Sequence, residues 1–162
     1  MAKPLQSLML GVVMERRAIA HAWADHSWRA VAVFPGAPAA ADWRLLAERP
    51  GWARYHAATL PLALYRTETE GYRANLSQPH PLVYVACRAA GTDDRPEPFL
   101  VTACPYEAED YEVGADERVD AVAMPAPVAA LVARLVADHH VEQPFRKRQR
   151  KPHDPRRASR HG

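Results

Sequence analysis

Glycine is scarce in this chain, 7 residues spread singly, and no Gly-rich phosphate loop, G-x-S-x-G elbow, CxxC pair or H-E-x-x-H motif occurs. A nucleotide cradle, a hydrolase elbow, a dithiol couple and a helical zinc-protease site therefore have no sequence support. Cysteine is rarer still. Cys87 and Cys104 each sit in an apolar run, without the spacing of a redox or metal pair, and read as buried, reduced thiols of a reducing compartment. Long apolar runs are missing too. The N-terminal "LMLGVVM" is far short of the roughly twenty residues that span a bilayer, and it runs directly into Glu15, Arg16 and Arg17. No apolar segment of export-signal length follows that arginine pair, so the expected location is cytoplasmic, without membrane attachment.

What the chain does hold is an ordinary globular composition, 48% hydrophobic and 25% charged over 162 residues, which suits one domain with its own core. The 15 prolines interrupt short apolar runs and so favour short strands and loops over a long helical bundle. Charge is unevenly placed. Residues 146–162 carry eight Lys/Arg against one acid, whereas residues 1–145 carry thirteen against eighteen. The reading is a globular domain over residues 1–145 and a basic, disordered tail over 146–162.

Hydrophobic patterning predicts a mainly antiparallel α+β fold: one sheet of about five or six strands, a C-terminal amphipathic helix and one or two short helices. Residues 8–14 are apolar on both faces, as in a covered central strand. Trp28 to Phe34 forms a second strand paired with it, ended by Pro35–Gly36. A helical turn is expected around residues 43–47. A third strand follows at "TLPLALY", placed at a sheet edge because Pro61 lacks a ladder donor. Thr67 and Glu70 have capping-box spacing for a helix through Asn75. Strands over 82–88 and 99–104 flank the loop "AAGTDDRPEP", a short helix starts at Pro105, and a sixth strand covers 119–124. Pro127 opens the last helix, whose apolar residues from Val128 to His139 share one face.

Four constellations could carry chemistry. In "HAWADHSW", His21, Asp25 and His26 lack a third ligand or a nucleophile, and the tryptophans suit a core entrance to the second strand. In "TETEGYRANL", Glu68 and Glu70 are two apart and do not face each other on a helix, so a cap on a solvated helix is the simpler reading. "YEAEDYEVGADERVD" holds seven acids and one base without calcium-loop register, a solvated face or a surface for a basic partner, with Tyr106 and Tyr111 as anchors. His139 and His140 are adjacent, so on a helix they diverge by about 100° and do not chelate. The candidate binding surface is Trp23, Asp25, His26, Glu70, Tyr72, Tyr106, Tyr111, His140, Arg146, Lys147 and Arg148. No catalytic residue, metal ligand or cofactor is expected. The tail could attract a phosphate backbone or an acidic protein surface.

The segments "GVVMERRAIAHAWADHSWRAVAVFPGAP", "LYRTETEGYRANL", "PLVYVACR", "PYEAEDY" and "MPAPVAALVARLVADHHVEQPFRKRQR", in this order, resemble domain-of-unknown-function family 3305. Its members are proteobacterial proteins encoded near genes for molybdenum-dependent formate dehydrogenase and its accessory proteins. The resemblance, the lack of a catalytic pattern and the oppositely charged surfaces together lead to the expectation of a non-enzymatic accessory protein in maturation or regulation of that enzyme, with the enzyme or its maturation factors as protein partner. Two alternatives stand beside it: a small cofactor-binding protein or enzyme of molybdopterin biosynthesis, and a nucleic-acid-binding regulator using the tail.

Overall fold

The computed structural model describes residues 3–20, 26–89, 95–114 and 116–140. Among these, seven strands and three helices form an α+β fold with two antiparallel sheets. The first sheet contains β1 (Gln6–Ala18), β2 (His26–Pro35), β3 (Arg44–Arg49) and β4 (Trp52–Leu64), in the order β2-β1-β4-β3. A 3-10 turn at Arg66–Glu68 leads into α1 (Thr69–Leu76). The second sheet contains β5 (Leu82–Arg88), β6 (Glu97–Thr102) and β7 (Glu117–Ala123), in the order β6-β5-β7. Helix α2 (Pro105–Glu112) connects β6 to β7, and α3 (Ala126–His139) follows β7.

The central place of β1 follows from its composition. Leu10, Val12 and Met14 join the core, and Gly11 on the opposite face lies under Phe34 so closely that an added Cβ would stand 2.5 Å from the ring. The two sheets approach along β4/β6 and β2/β7 and enclose one core, to which Tyr72 of α1 and Val128, Val132 and Leu135 of α3 contribute. Cys87 on β5 and Cys104 before α2 are both buried and free. Burial and the Asp120 carboxylate push the Cys87 thiol up to about 12, with Arg118 pulling weakly the other way.

The expected single sheet is thus two, and the seam between β2 and β7 explains why. Instead of a backbone ladder, the Asp120 carboxylate accepts the Ala30 N–H at 2.9 Å and the Arg118 guanidinium donates to the Trp28 carbonyl at 2.6 Å. The helical turn expected at 43–47 is strand β3. Its residues are exposed apart from the half-buried Ala47, so no alternation of apolar residues marks it in the sequence. β4 begins at Trp52 and lies inside its sheet, but β3 pairs only with its 52–56 portion, so Pro61 faces a ladder on one side alone, opposite Met9 of β1. The capping box does not form: Glu68 occupies the N-cap and no side chain caps the helix, while Thr67 is exposed within the 3-10 turn.

Asn75, fully buried, joins three elements. Its amide donates to the carbonyls of Leu82 (2.7 Å) and Ala103 (2.8 Å), and its oxygen accepts from Leu82 N (2.9 Å) and Gln78 Nε2 (3.0 Å). Every hydrogen-bonding position of the side chain is used. It fixes α1 to β5 and to the turn that precedes α2.

Candidate functional site

The pairing register of the first sheet gathers residues that are far apart in sequence. Arg16 lies opposite Trp28 on one side and Ala53 on the other, and Ala53 lies opposite Glu48 of β3. This end of the sheet therefore collects Arg16, Arg17, Arg29, Arg44, Arg49 and Arg54. The described acids interleaved with them are Glu15 and Glu48. Glu15 is neutralised where it stands: only 1% exposed, it accepts from Arg54 at 2.9 Å and Arg17 at 3.1 Å. Burial alone would raise its pKa, but the two guanidinium groups outweigh burial and hold the carboxyl below the usual range. By register Arg17, Arg29, Arg44, Arg49 and Arg54 share the Glu15 face of the sheet, and Arg16 stands on the Trp28 face.

Aromatic rings stand on both faces, Trp28 and Tyr55 with Arg16, and Trp52 with Arg17 and Arg54. Trp28 meets Trp43 edge-on with centroids 5.5 Å apart, and Tyr55 lies 5.7 Å from Trp28 and 6.2 Å from Trp43. Arg95 stacks over Trp43 at 4.1 Å, Arg16 reaches Tyr55 at 5.9 Å, and Arg54 covers Trp52 at 4.7 Å. The rings are half-buried, and the indole Nε1–H of Trp28 is shielded without a hydrogen-bond partner. Trp43 is placed by backbone strain: Asp42 and Trp43 both have left-handed φ, 49° and 51°, which costs roughly 1–2 kcal/mol per residue without glycine. Beside this cluster an open groove of about 240 Å³ is lined by Arg16, Ala18, His26, Glu48, Arg49, Gly51 and Trp52.

A second cluster lies at the junction of α1 and α2. Cys104 is the N-cap of α2, and its thiol faces the N–H groups of Glu107 and Tyr106 on one side and Glu68 on another. Burial, more than the Glu68 carboxylate, raises the thiol above its ordinary value, so it is a protonated thiol at neutral pH and a poor nucleophile. Gly71 is what admits the sulfur: a Cβ there would stand 2.5 Å from Sγ. Glu68 Oε2 is buried without a donor, and Glu107, raised by burial and then by Glu68, titrates at about 7. Tyr72 beneath them donates no proton to these acids; its hydroxyl oxygen accepts the Tyr65 N–H at 2.9 Å, and burial pushes its phenol far up.

Of the residues singled out from the sequence, His26 lines the groove and its ring lies 5.9 Å from Trp28. Glu70 is exposed on α1, and Tyr106 is 53% exposed on α2. Tyr72 has no exposed surface and is corrected from a binding-surface residue to a core residue. Tyr111 packs edge-on against Phe99 at 5.6 Å, under a ring that Arg88 also covers. His140 is held against α1: Arg73 can only donate to its Nε2 (3.3 Å), so Nδ1 carries the proton and donates to Thr69 Oγ1 (3.0 Å). Trp23, Asp25, Arg146, Lys147 and Arg148 lie outside the described residues. Arg16, Arg49, Trp43 and Tyr55 were not legible as a site, because only the β1–β2–β4–β3 register brings them together.

Among the described residues no group of three or more His, Cys, Asp or Glu side chains is placed to hold a metal ion, and no helix is long and apolar enough to cross a membrane. Fold and site together define an α+β domain with an arginine–aromatic cluster at one end of its first sheet. The chain belongs to the family described as "Protein of unknown function (DUF3305)", whose model matches residues 9–149. No curated protein and no solved structure matches it.

Proposed function

We propose that the protein is a non-enzymatic accessory protein that docks an acidic segment of a protein partner on the arginine–aromatic end of its first sheet. One observation carries this reading: Arg16 and Arg95 stand against the Trp28–Trp43–Tyr55 cluster at one end of the sheet, with five further arginines on its other face, in a domain whose first 145 residues are otherwise rich in acids. Tryptophan, tyrosine and arginine are the residue types that dominate binding energy at protein interfaces. Strain retained at Asp42 and Trp43 supports it further, since strained backbone concentrates at functional positions. The sequence resemblance supplies the proposed partner, molybdenum-dependent formate dehydrogenase or one of its maturation factors, met in the cytoplasm.

The test is affinity capture from the native host with the full chain and with the double variant Trp43→Ala, Arg16→Glu. Formate dehydrogenase subunits or maturation factors are expected with the wild type and at least tenfold depleted with the variant. Equal recovery by both proteins, or recovery of neither partner, would sink the reading. Stacked rings beside arginines also suit single-stranded nucleic acid. That second reading requires binding of a labelled oligonucleotide that weakens steeply with salt and is lost in the same variant.

A further inference from the structure

The acid–thiol cluster plays no part in the proposed docking surface, and its geometry poses a hydrogen-bonding problem. Glu68 Oε2 is shielded from solvent and has no N–H or O–H directed at it. A buried acceptor without a donor costs about 1–3 kcal/mol, more when charged. The polar groups gathered there are the Glu107 carboxyl and the Cys104 thiol, and of these a protonated carboxyl is much the stronger donor.

We propose that Glu68 and Glu107 share one proton and so form a pH-operated clasp between the start of α1 and the first turn of α2. With the proton in place, Glu107 donates to Glu68 and the orphaned oxygen is satisfied. Once the proton is lost, two carboxylates face each other in a shielded site and the join between the helices loosens. The surroundings favour this behaviour from every side. On α2, Asp110 adds a further negative charge against Glu107. From α1 comes Tyr72, whose phenol stays protonated, and the neighbouring thiol is Cys104. At the C-terminal end of α3, His139 meets Arg66, and the following His140 meets Thr69 and Arg73, so both imidazoles are engaged there.

The sign follows from linkage. A carboxyl that titrates near 7 when folded, against an ordinary value of 4.5, binds more proton in the native state than in the unfolded one. Its contribution is therefore present in acid and is lost as pH rises from about 4.5 through about 7. Asp110 acts in the same direction as Glu68, so the midpoint is held up by both.

Two measurements on the full chain decide between clasp and no clasp. In carboxyl-carbon NMR titration of the wild type, one member of the Glu68–Glu107 pair is expected to titrate near neutrality; midpoints below about 5 for both would overturn the clasp. In hydrogen exchange corrected for intrinsic rates, amides of residues 106–112 are expected to lose at least tenfold protection between pH 5.5 and 8 in the wild type. The same amides should change less than twofold in Glu107→Gln, which donates without titrating. Parallel profiles in the two proteins would also overturn it. Should Glu107→Gln fail to fold, the wild-type titration decides alone.

Discussion

Asn75 shows how a polar residue can be structural rather than functional. From the sequence it stands among Glu68, Glu70, Tyr72 and Arg73 in a stretch that invites an active-site reading. In the fold it is fully buried, with all four hydrogen-bonding positions occupied by backbone groups and Gln78. Asn75→Ala leaves the Leu82 N–H and the carbonyls of Leu82 and Ala103 without that partner, and is expected to lower stability by about 3 kcal/mol in urea unfolding. A loss below about 1 kcal/mol would show that water or rearrangement replaces the amide. Glu15 teaches the opposite lesson for charge. A carboxylate with 1% exposure survives because Arg17 and Arg54 both reach it; removal of one guanidinium would leave one of its oxygens unpaired, and removal of both would strand the charge.

At the scale of elements, strands whose apolar residues alternate or run continuously were legible: β1, β2, β5 and the core of α3 lie where hydrophobic period places them. β3 was not. It carries Leu45 and Leu46 at 48% and 47% exposure with arginines at both ends, so its pattern records no buried face. Its existence depends on β4 and on the left-handed turn at Asp42–Trp43, and neither is visible in local sequence. The split into two sheets was equally hidden, because it is set by side chains on β7. Asp120 is 20% exposed, so its bond to the Ala30 amide is only partly screened. Asp120→Ala is expected to cost about 1–2 kcal/mol, and Asp120→Asn, which keeps an acceptor oxygen, less than half of that. Equal costs for the two would assign the effect to charge rather than to the hydrogen bond.

For the whole molecule, the charge asymmetry visible in the sequence was that of an acidic body and a basic tail. Folding adds a second asymmetry inside the body, since pairing of β1, β2, β3 and β4 brings six arginines to one end. A partner held there by opposite charge should bind about tenfold more weakly at 0.3 M than at 0.05 M salt, where the Debye length shortens from roughly 14 to 6 Å. Combining Arg16→Glu with Arg49→Glu should flatten that dependence as well as weaken binding. A salt-independent affinity would move the binding surface elsewhere.

Cys87 is enclosed between the sheets with its thiol pushed up to about 12, and Cys104 is wedged against Gly71 behind the acid pair. The native protein therefore behaves toward thiol reagents at neutral pH almost as a cysteine-free chain. Val113, 87% exposed just after α2, is then a natural place for an introduced cysteine. A fluorophore or spin label attached there would report from the edge of the clasp without the two native thiols having to be removed.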